Sequence, residues 1–456
     1  MIGNNRNVAH LTKIEDWTEE CKDRDEIRAY KIKKFNGMEG DKEIVDKEQR
    51  QRLDYREKVC KSNVKQTLNS TNALISTVDM SKKNNVKEKT HKTPKIIRYK
   101  ALKARLRNSL LNFNAKWIDT TKTEKTKKGY NVVDLFCGAG GISCGFKMAG
   151  LKPIFGVEID PDAVQTYKTN FKYAYVHHGD IKELSNKDIK KILGNKIVHV
   201  LTGGFPCQGF SVAGFRDPND KRNTLYKEIV RVVRELKPWY IVLENVPGIV
   251  TMKNGKVYKT VIEDFYSVGY PNMSVEILEA ADYGVAQLRP RAIFIANRFG
   301  MKNPYPKPQL KPQGYITIEE AIDDLKNRPR DPSINHEWTR HSKEFEERIS
   351  KVPPGGSLYK HFLDAFKRQY RGVPSMTVKE NHGGTHVHYE LNRTISAREM
   401  ARLQSFLDSF IFSGRMKRVM WQVGNAVPPL MFKNIGLALT PELEKIESNA
   451  KIDFPQ

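Results

Sequence analysis

The side chains best suited to chemistry follow short apolar runs of the chain. Cys207 follows Pro206 in GGFPCQ, after the run HVLT. A cysteine at the end of a strand is well placed as a nucleophile, although most lone cysteines are small core residues. Glu244 ends the run YIVL, where we expect more than a structural role. In QLRPR, Arg289 and Arg291 are two residues apart and share one side of an extended chain, for function or for a surface ion pair.

A glycine-rich loop indicates a second site. VVDLF runs into CGAGG, whose Gly138 and Gly140 allow a ligand to approach the backbone at a helix N-terminus. Glu158, 20 residues after Gly138, can hold ribose hydroxyls. The dinucleotide fingerprint needs a third glycine, but position 143 is Ser. The pattern therefore favours a nucleoside without a pyrophosphate, such as S-adenosylmethionine, over NAD; a tight structural turn is the alternative.

Short alternating strand and helix patterns must position these groups. From residue 130 the chain alternates β-branched runs with helical spacings, which predicts an α/β fold with a doubly wound, mostly parallel sheet. Ligands bind such sheets outside the carboxyl ends of the strands. We predict a catalytic and cofactor-binding domain at 130–299, a smaller irregular domain at 300–392, and a C-terminal segment, 393–456, that returns to the first domain.

The charge distribution indicates a polyanionic partner. The chain of 456 residues has a net charge of +25, and residues 51–130 contain 21 Lys and Arg against 6 Asp and Glu. We interpret 1–129 as a basic extension, either a disordered tail or a DNA-binding or regulatory arm. With no long apolar stretch, no secretory signal and five scattered cysteines, a cytoplasmic protein without membrane spans is expected.

Across about residues 130–440, the chain carries a series of motifs in this order: DLFCGAGG, VEID, GDI, GGFPCQGFS, ENV, QLRPR, RTISAREMARLQSF and QVGNAVPPL. They follow one another in the usual order of the DNA cytosine-C5 methyltransferase family, which the chain resembles. The resemblance implies that Cys207 adds to C6 of cytosine. Glu244 would contact N3 and the exocyclic amine, and Arg291 would contact O2. Arg289 would support that arrangement or a flanking phosphate.

The resemblance also implies the cofactor S-adenosyl-L-methionine, bound by Phe136, Gly138, Gly140, Glu158, Asp180, Pro206 and Asn425. Phe136 would flank the cofactor and Glu158 would hold its ribose. Asp180 would meet the adenine amine, and Asn425 would close the pocket near the methionine moiety.

The implied partner is double-stranded DNA, with the target cytosine flipped out and a mobile loop, 210–214, closing over it. Sequence recognition would fall to 300–392, where Arg368, Arg371 and Lys379 are candidates for base or phosphate contacts. The histidines of HGGTHVHY are not expected to bind a metal. We expect them to contact phosphates or loops instead.

Three alternatives remain open: a catalytically silent DNA-binding relative, a tRNA cytosine methyltransferase, and an NAD-dependent oxidoreductase. The intact Cys207, Glu244 and Arg291 argue against the first. A monomeric modification enzyme that can be paired with a restriction endonuclease is the biological setting that we predict.

Overall fold

A computed structural model of the chain describes residues 129–205, 225–252, 254–359, 365–380 and 386–449. They fall within one compact unit, Arg98–Gln456. The predictions for the basic extension up to residue 128, for Pro206 and Cys207, and for the loop at 210–214 lie outside the described residues.

Seven strands form the main sheet: β1 Asn131–Leu135, β2 Lys152–Glu158, β3 Tyr175–His178, β4 Val200–Gly204, β5 Tyr240–Asn245, β6 Ser274–Glu279 and β7 Pro290–Asn297. Their order is β3-β2-β1-β4-β5-β7-β6. The pairs among β1 to β5 are parallel, whereas β7 is antiparallel to both β5 and β6. The predicted doubly wound, mostly parallel sheet is confirmed.

Alternate residues of the central strands enter two separate cores. In β5, Ile241 and Leu243 belong to one apolar cluster, and Tyr240 and Val242 belong to another. All four side chains are fully buried. Because both faces of the sheet are covered, these strands appear in the sequence as unbroken runs of apolar residues.

Ten α-helices accompany the strands in the described residues: α1 Gly141–Met148, α2 Pro161–Asn170, α3 Asn186–Leu193, α4 Leu225–Leu236, α5 Lys256–Tyr266, α6 Ile318–Ile322, α7 Lys343–Ser350, α8 Ala397–Leu403, α9 Met416–Asn425 and α10 Pro429–Asn449. Residues of α3, α4 and α5 pack on one face of the sheet, and those of α1 and α10 pack on the other. A third cluster joins α2 to α6, α8 and α9. None of the described helices is long and apolar enough to cross a membrane.

The C-terminal segment packs tightly against the first helix of the sheet. The rings of Phe146 in α1 and Phe432 in α10 meet edge to face, with their centroids 5.4 Å apart. A Cβ atom added to Gly145 would lie 2.4 Å from the carbonyl oxygen of Pro429. The last helix therefore lies against α1, which follows the glycine-rich loop.

The region between β7 and α8 has little regular structure in its described part. Besides α6 and α7, it contains two two-residue strands, β8 Lys367–Arg368 and β9 His386–Val387, which pair in parallel. Arg368 is only 5 % exposed.

The guanidinium of Arg368 donates to four backbone carbonyls, those of Ile349, Val352, His388 and Leu391, and to the side chain of Asn392. The prediction that Arg368 contacts a base or a phosphate is therefore wrong. Its hydrogen-bonding capacity is used inside the protein, where three of the four carbonyls, those of Val352, His388 and Leu391, lie outside helices and strands.

Replacing Gly145 with alanine should destabilise the fold by about 1–3 kcal/mol, because the added methyl group overpacks the contact between α1 and α10. Urea denaturation measures this change. Gly314→Ala is the matched control, because a Cβ atom there meets nothing within 4 Å. Equal stability of the two variants would contradict the described packing.

Candidate functional site

The candidate site lies at the edge of the sheet where the parallel strands end. Gly204 ends β4 opposite Glu244 in β5, and Glu158 ends β2 opposite His178 in β3. Strand β7 runs in the opposite direction, so it begins at this same edge, and Arg291 is its second residue. Groups from five strands are thereby brought to one side of the sheet.

The glycine-rich loop turns sharply between β1 and α1. Phe136, Gly138 and Gly140 all have positive φ angles, of 58°, 53° and 94°. Gly140 directly precedes α1, and a Cβ atom there would lie 2.5 Å from the ring of Phe171. A Cβ atom on Gly138 would meet nothing within 4 Å, so open space lies beside the backbone at that point. The loop thus gives a ligand access to the backbone ahead of a helix N-terminus.

Glu158 joins this loop to the end of β2. One carboxylate oxygen accepts from the backbone N–H of Gly138 at 2.8 Å, and the other accepts from those of Ile159 and Asp160 at 2.9 Å. Burial raises the pKa of this carboxyl, whereas the three N–H donors oppose the rise. The predicted ribose-binding residue therefore also fixes the loop that it faces.

Asp180 and Asn425 occupy different neighbourhoods of the site. The backbone of Gly179 donates to the carbonyl of Glu158, which places the half-buried Asp180 directly beyond that residue. Asn425 is exposed and ends α9. The structure therefore groups Phe136, Gly138, Gly140, Glu158 and Asp180 at the ends of β1, β2 and β3. A Cβ atom added to Gly141 would lie 2.3 Å from the carbonyl oxygen of Val427, so the chain just after Asn425 lies beside the glycine-rich loop.

Glu244 and Arg291 form an ion pair. Nε of Arg291 lies 2.6 Å from Oε1 of Glu244, and each side chain is 12 % exposed. A Cβ atom added to Gly204 would lie 3.1 Å from Oε2 of Glu244, so the missing side chain leaves room for the carboxylate. A surface ion pair is the alternative that the sequence leaves open for the arginines. The pair that Arg291 forms is instead largely buried, and it lies beside Gly204, the residue that ends β4 shortly before Cys207 in the chain.

Arg289 is placed differently from Arg291. It is 3 % exposed, and its guanidinium donates to the backbone carbonyls of Val378, Gly424 and Ala426 at 2.7–3.0 Å. Burial lowers the pKa of this guanidinium well below its usual range. This burial favours the predicted supporting role and leaves no exposed guanidinium for a flanking phosphate.

A buried polar cluster beneath the glycine-rich loop was missed by the sequence reasoning. Asp134 is fully buried in β1 and accepts at 2.6 Å from the hydroxyl of Ser143, which lies 2.9 Å from the hydroxyl of Tyr167. The other carboxyl oxygen of Asp134 has no hydrogen-bond partner, and burial raises its pKa to about 7. An acidic residue inside the run VVDLF was the available signal.

A set of polar contacts between α2 and α9, which we call the polar clasp, was also missed. Arg418 pairs with Asp160 and Asp162 at the start of α2, and Thr166 donates to Gln422 at 2.6 Å. Helix α2 begins just after Glu158, and α9 ends at Asn425. The clasp therefore sets the distance between two predicted parts of the cofactor site.

The remaining candidates have separate surroundings. Arg371 and Lys379 are exposed, and Arg371 lies over the ring of Tyr389. His386 and His388 are buried, and Nε2 of His386 lies 3.1 Å from the carbonyl oxygen of Met376, which is a loop contact of the predicted kind. His382 lies outside the described residues. Within the part of the chain that the structure describes, no three His, Cys, Asp or Glu side chains form a metal-binding group.

The two described free cysteines, Cys137 and Cys144, are buried. Burial raises the pKa of both thiols, that of Cys144 to about 12, so neither is a reactive thiolate at neutral pH. This agrees with the packing role that their positions on the loop and on α1 indicate.

Comparison with known proteins places this geometry in context. Residues 130–440 match the family model of C-5 cytosine-specific DNA methylase. Type II methyltransferase M1.HphI of Haemophilus parahaemolyticus is 39 % identical over 67 % of this chain and 86 % of its own length. Type II methyltransferase M.DdeI of Desulfomicrobium norvegicum is 34 % identical over 71 % of this chain and 92 % of its own.

Among solved structures, a prophage-encoded protein of E. coli, described as a DNA modification methyltransferase, has a TM-score of 0.59 and 26 % identity. The match covers 69 % of this chain and all of the other.

Asp134→Asn should reduce the pH dependence of stability. In the folded protein the carboxyl keeps its proton up to about pH 7, whereas the ordinary pKa of an aspartate is 3.8. The folded state thus binds more protons over this interval, and stability falls as the pH rises through it, by at most about 1.4 kcal/mol per pH unit. Urea denaturation at pH 5, 6 and 7 should show a shallower fall in the variant.

Ser143→Ala is the control for this prediction. It removes a hydrogen bond that lowers the pKa of Asp134, so the pH dependence should persist in this variant. Equal slopes in the parent and Asp134→Asn would show that another group is responsible.

Proposed function

The chain belongs to the C-5 cytosine-specific DNA methylase family, and from this membership we propose that it methylates a flipped-out cytosine through a covalent bond to Cys207. It is a DNA cytosine-5-methyltransferase whose cofactor is S-adenosyl-L-methionine. The observation that carries the proposal is the ion pair between Glu244 and Arg291, which lies at the same edge of the sheet as the glycine-rich loop.

The described residues fit the cofactor. Open space lies beside Gly138, the backbone at Phe136 and Gly140 turns with positive φ, and the carboxylate of Glu158 adjoins that loop. In the proposal, Glu158 accepts from the ribose hydroxyls and Asp180 accepts from the adenine amine. Pro206 and Asn425 complete the pocket. When bound, S-adenosyl-L-methionine supplies an electrophilic methyl group for C5 of the cytosine.

The residues of the chain activate the base. Cys207 loses its proton and its sulfur forms a bond to C6, which gives C5 the character of an enamine carbon. Glu244 holds or gives a proton at N3 as negative charge develops on the ring. Arg291 stays paired with Glu244 and donates to O2. After C5 has gained the methyl group, a water molecule accepts the proton from C5 and N3 gives its proton back to Glu244, while the bond between C6 and sulfur breaks and the thiolate returns.

The target carbon is inaccessible inside a duplex, so the cytosine must leave the base stack at a cost of a few kcal/mol. We assign the compensating contacts to residues 300–392, where Arg371 and Lys379 are exposed. The relatives M1.HphI and M.DdeI are named Type II methyltransferases. By analogy, we propose that this chain is a monomeric cytoplasmic modification enzyme with a cognate restriction endonuclease.

The direct test of the reaction is transfer of a labelled methyl group from S-adenosyl-L-methionine to duplex DNA, with tRNA as the competing substrate. Label on the DNA, at C5 of cytosine, is the expected result. Label on tRNA alone would make the chain an RNA methyltransferase. Cofactor binding without transfer would make it a silent relative, and the absence of both binding and transfer would favour the NAD-dependent alternative.

Cys207→Ser should abolish methyl transfer and retain cofactor binding, because a hydroxyl is far less acidic than a thiol. The parent should form an adduct with DNA that contains 5-fluorocytosine, which survives on a denaturing gel because the elimination step is blocked. Cys144→Ala is the control and should keep substantial activity, because Cys144 is a buried packing residue. Methyl transfer by Cys207→Ser at the parental rate would refute the assignment.

Glu158→Ala and Glu244→Gln should separate binding from chemistry. The first should weaken cofactor binding by about 1.5–3 kcal/mol, since it removes hydrogen bonds to a charged group. The second should leave cofactor binding unchanged and slow methyl transfer. Calorimetric titration and a rate measurement on both variants test these roles. Loss of cofactor binding in Glu244→Gln, with binding retained in Glu158→Ala, would contradict them.

A further inference from the structure

Arg289 bonds to two segments that belong to different parts of the proposed site. Val378 lies within 300–392, the region assigned to target recognition. Gly424 and Ala426 flank Asn425, the residue assigned to the cofactor pocket. A single buried guanidinium thus holds both segments through their backbone oxygens.

Two buried glutamines extend this connection. Gln287 accepts from the backbone N–H of Val378 at 3.0 Å and donates to the side chain of Gln404 at 2.8 Å. Gln404 in turn donates to the carbonyls of Val423 and Ala426. Both glutamines are fully buried. We call Gln287, Arg289 and Gln404 the central hub.

The target-recognition side of the hub is continuous with the catalytic arginine. Ser375 pairs in parallel with Gln287, as its N–H donates to Ala286 and its carbonyl accepts from Leu288, both at 2.9 Å. The hydroxyl of Thr377 donates to the carbonyl of Leu288 at 2.7 Å. A displacement of 375–378 must therefore move the segment that leads into Arg291.

The cofactor side of the hub is in close contact with the same segment. A Cβ atom on Gly424 would lie 2.4 Å from backbone atoms of Lys379 and Glu380. The two backbones are therefore in contact as well as being joined by Arg289. Because packed segments of this kind move together, a shift on one side of the hub is transmitted to the other.

We propose that Gln287, Arg289 and Gln404 are positioning residues that couple occupation of the DNA site to occupation of the cofactor pocket. The inference rests on the proposed function, and none of the three residues needs to contact either ligand. By thermodynamic linkage, DNA raises the affinity for the cofactor by the same factor by which the cofactor raises the affinity for DNA. Such factors are about 5 to 150.

The test measures the dissociation constant of S-adenosylhomocysteine with and without a plasmid DNA that accepts label in the methylation assay. This product of the reaction allows binding to be measured without turnover. The parent should show a ratio of at least about 5 between the two constants. Gln404→Met, which removes the polar link and keeps a similar volume, should bring the ratio close to one.

Tyr270→Phe is the matched control. It too removes a fully buried hydrogen bond, from the hydroxyl of Tyr270 to the carbonyl of Pro238, but this bond lies at the opposite edge of the sheet, just before β5. The control should keep the parental ratio. Gln287→Met removes the bonds to Val378 and Gln404, and it decides the matter if Gln404→Met does not fold.

Three results would overturn the inference: a ratio of one in the parent, a parental ratio in the folded hub variant, or an equal loss in Tyr270→Phe. If the parent methylates DNA while its ratio is one, only the coupling is wrong. If the parent transfers no methyl group to DNA, the proposed function fails and the inference fails with it.

Discussion

The candidate site depends on the direction in which each strand of the sheet runs. Because β1 to β5 are parallel, their carboxyl ends meet at one edge, and the antiparallel β7 starts where they finish. Glu244 and Arg291 are 47 positions apart in the sequence, yet the pairing of β5 with β7 brings them into contact. The absence of a side chain at Gly204 then leaves room for the carboxylate. Were β7 parallel to β5, Arg291 would begin its strand at the far edge, about 20 Å away for a six-residue strand.

The strongest periodic patterns allowed much of the fold to be predicted. The runs VVDL and YIVL are buried on both faces, and their apolar residues mark β1 and β5 without ambiguity. The amphipathic helix α3 and the edge strand β6 were not identified, because polar residues interrupt their apolar pattern, as Glu276 and Glu279 do in β6. The reversed direction of β7 could not be derived, since an apolar run does not encode which way a strand points.

The site was less predictable because residues of the same type have different roles in it. Arg291 pairs with Glu244, whereas Arg289, two residues earlier, and Arg368 are buried among backbone carbonyls. In irregular regions, carbonyl groups lack the partners that helices and sheets provide, and a planar guanidinium with five donors can satisfy several at once. The sequence around Arg368 has no periodicity that would reveal its burial, so a reading based on charge alone assigned it to the surface. The burial of Asp134, in contrast, could have been predicted, since a single acidic residue within an apolar strand indicates a buried polar cluster.

The central hub bonds to its neighbours through their backbone atoms. Val378, Gly424 and Ala426 each offer Arg289 a carbonyl oxygen, which every amino acid possesses. Apart from Gly424, where there is no room for a side chain, these bonds place no demand on the identity of the residues that supply them. The proposed recognition segment can therefore change in sequence outside the apolar cluster that holds Val378, as long as its main chain follows the same path past Arg289.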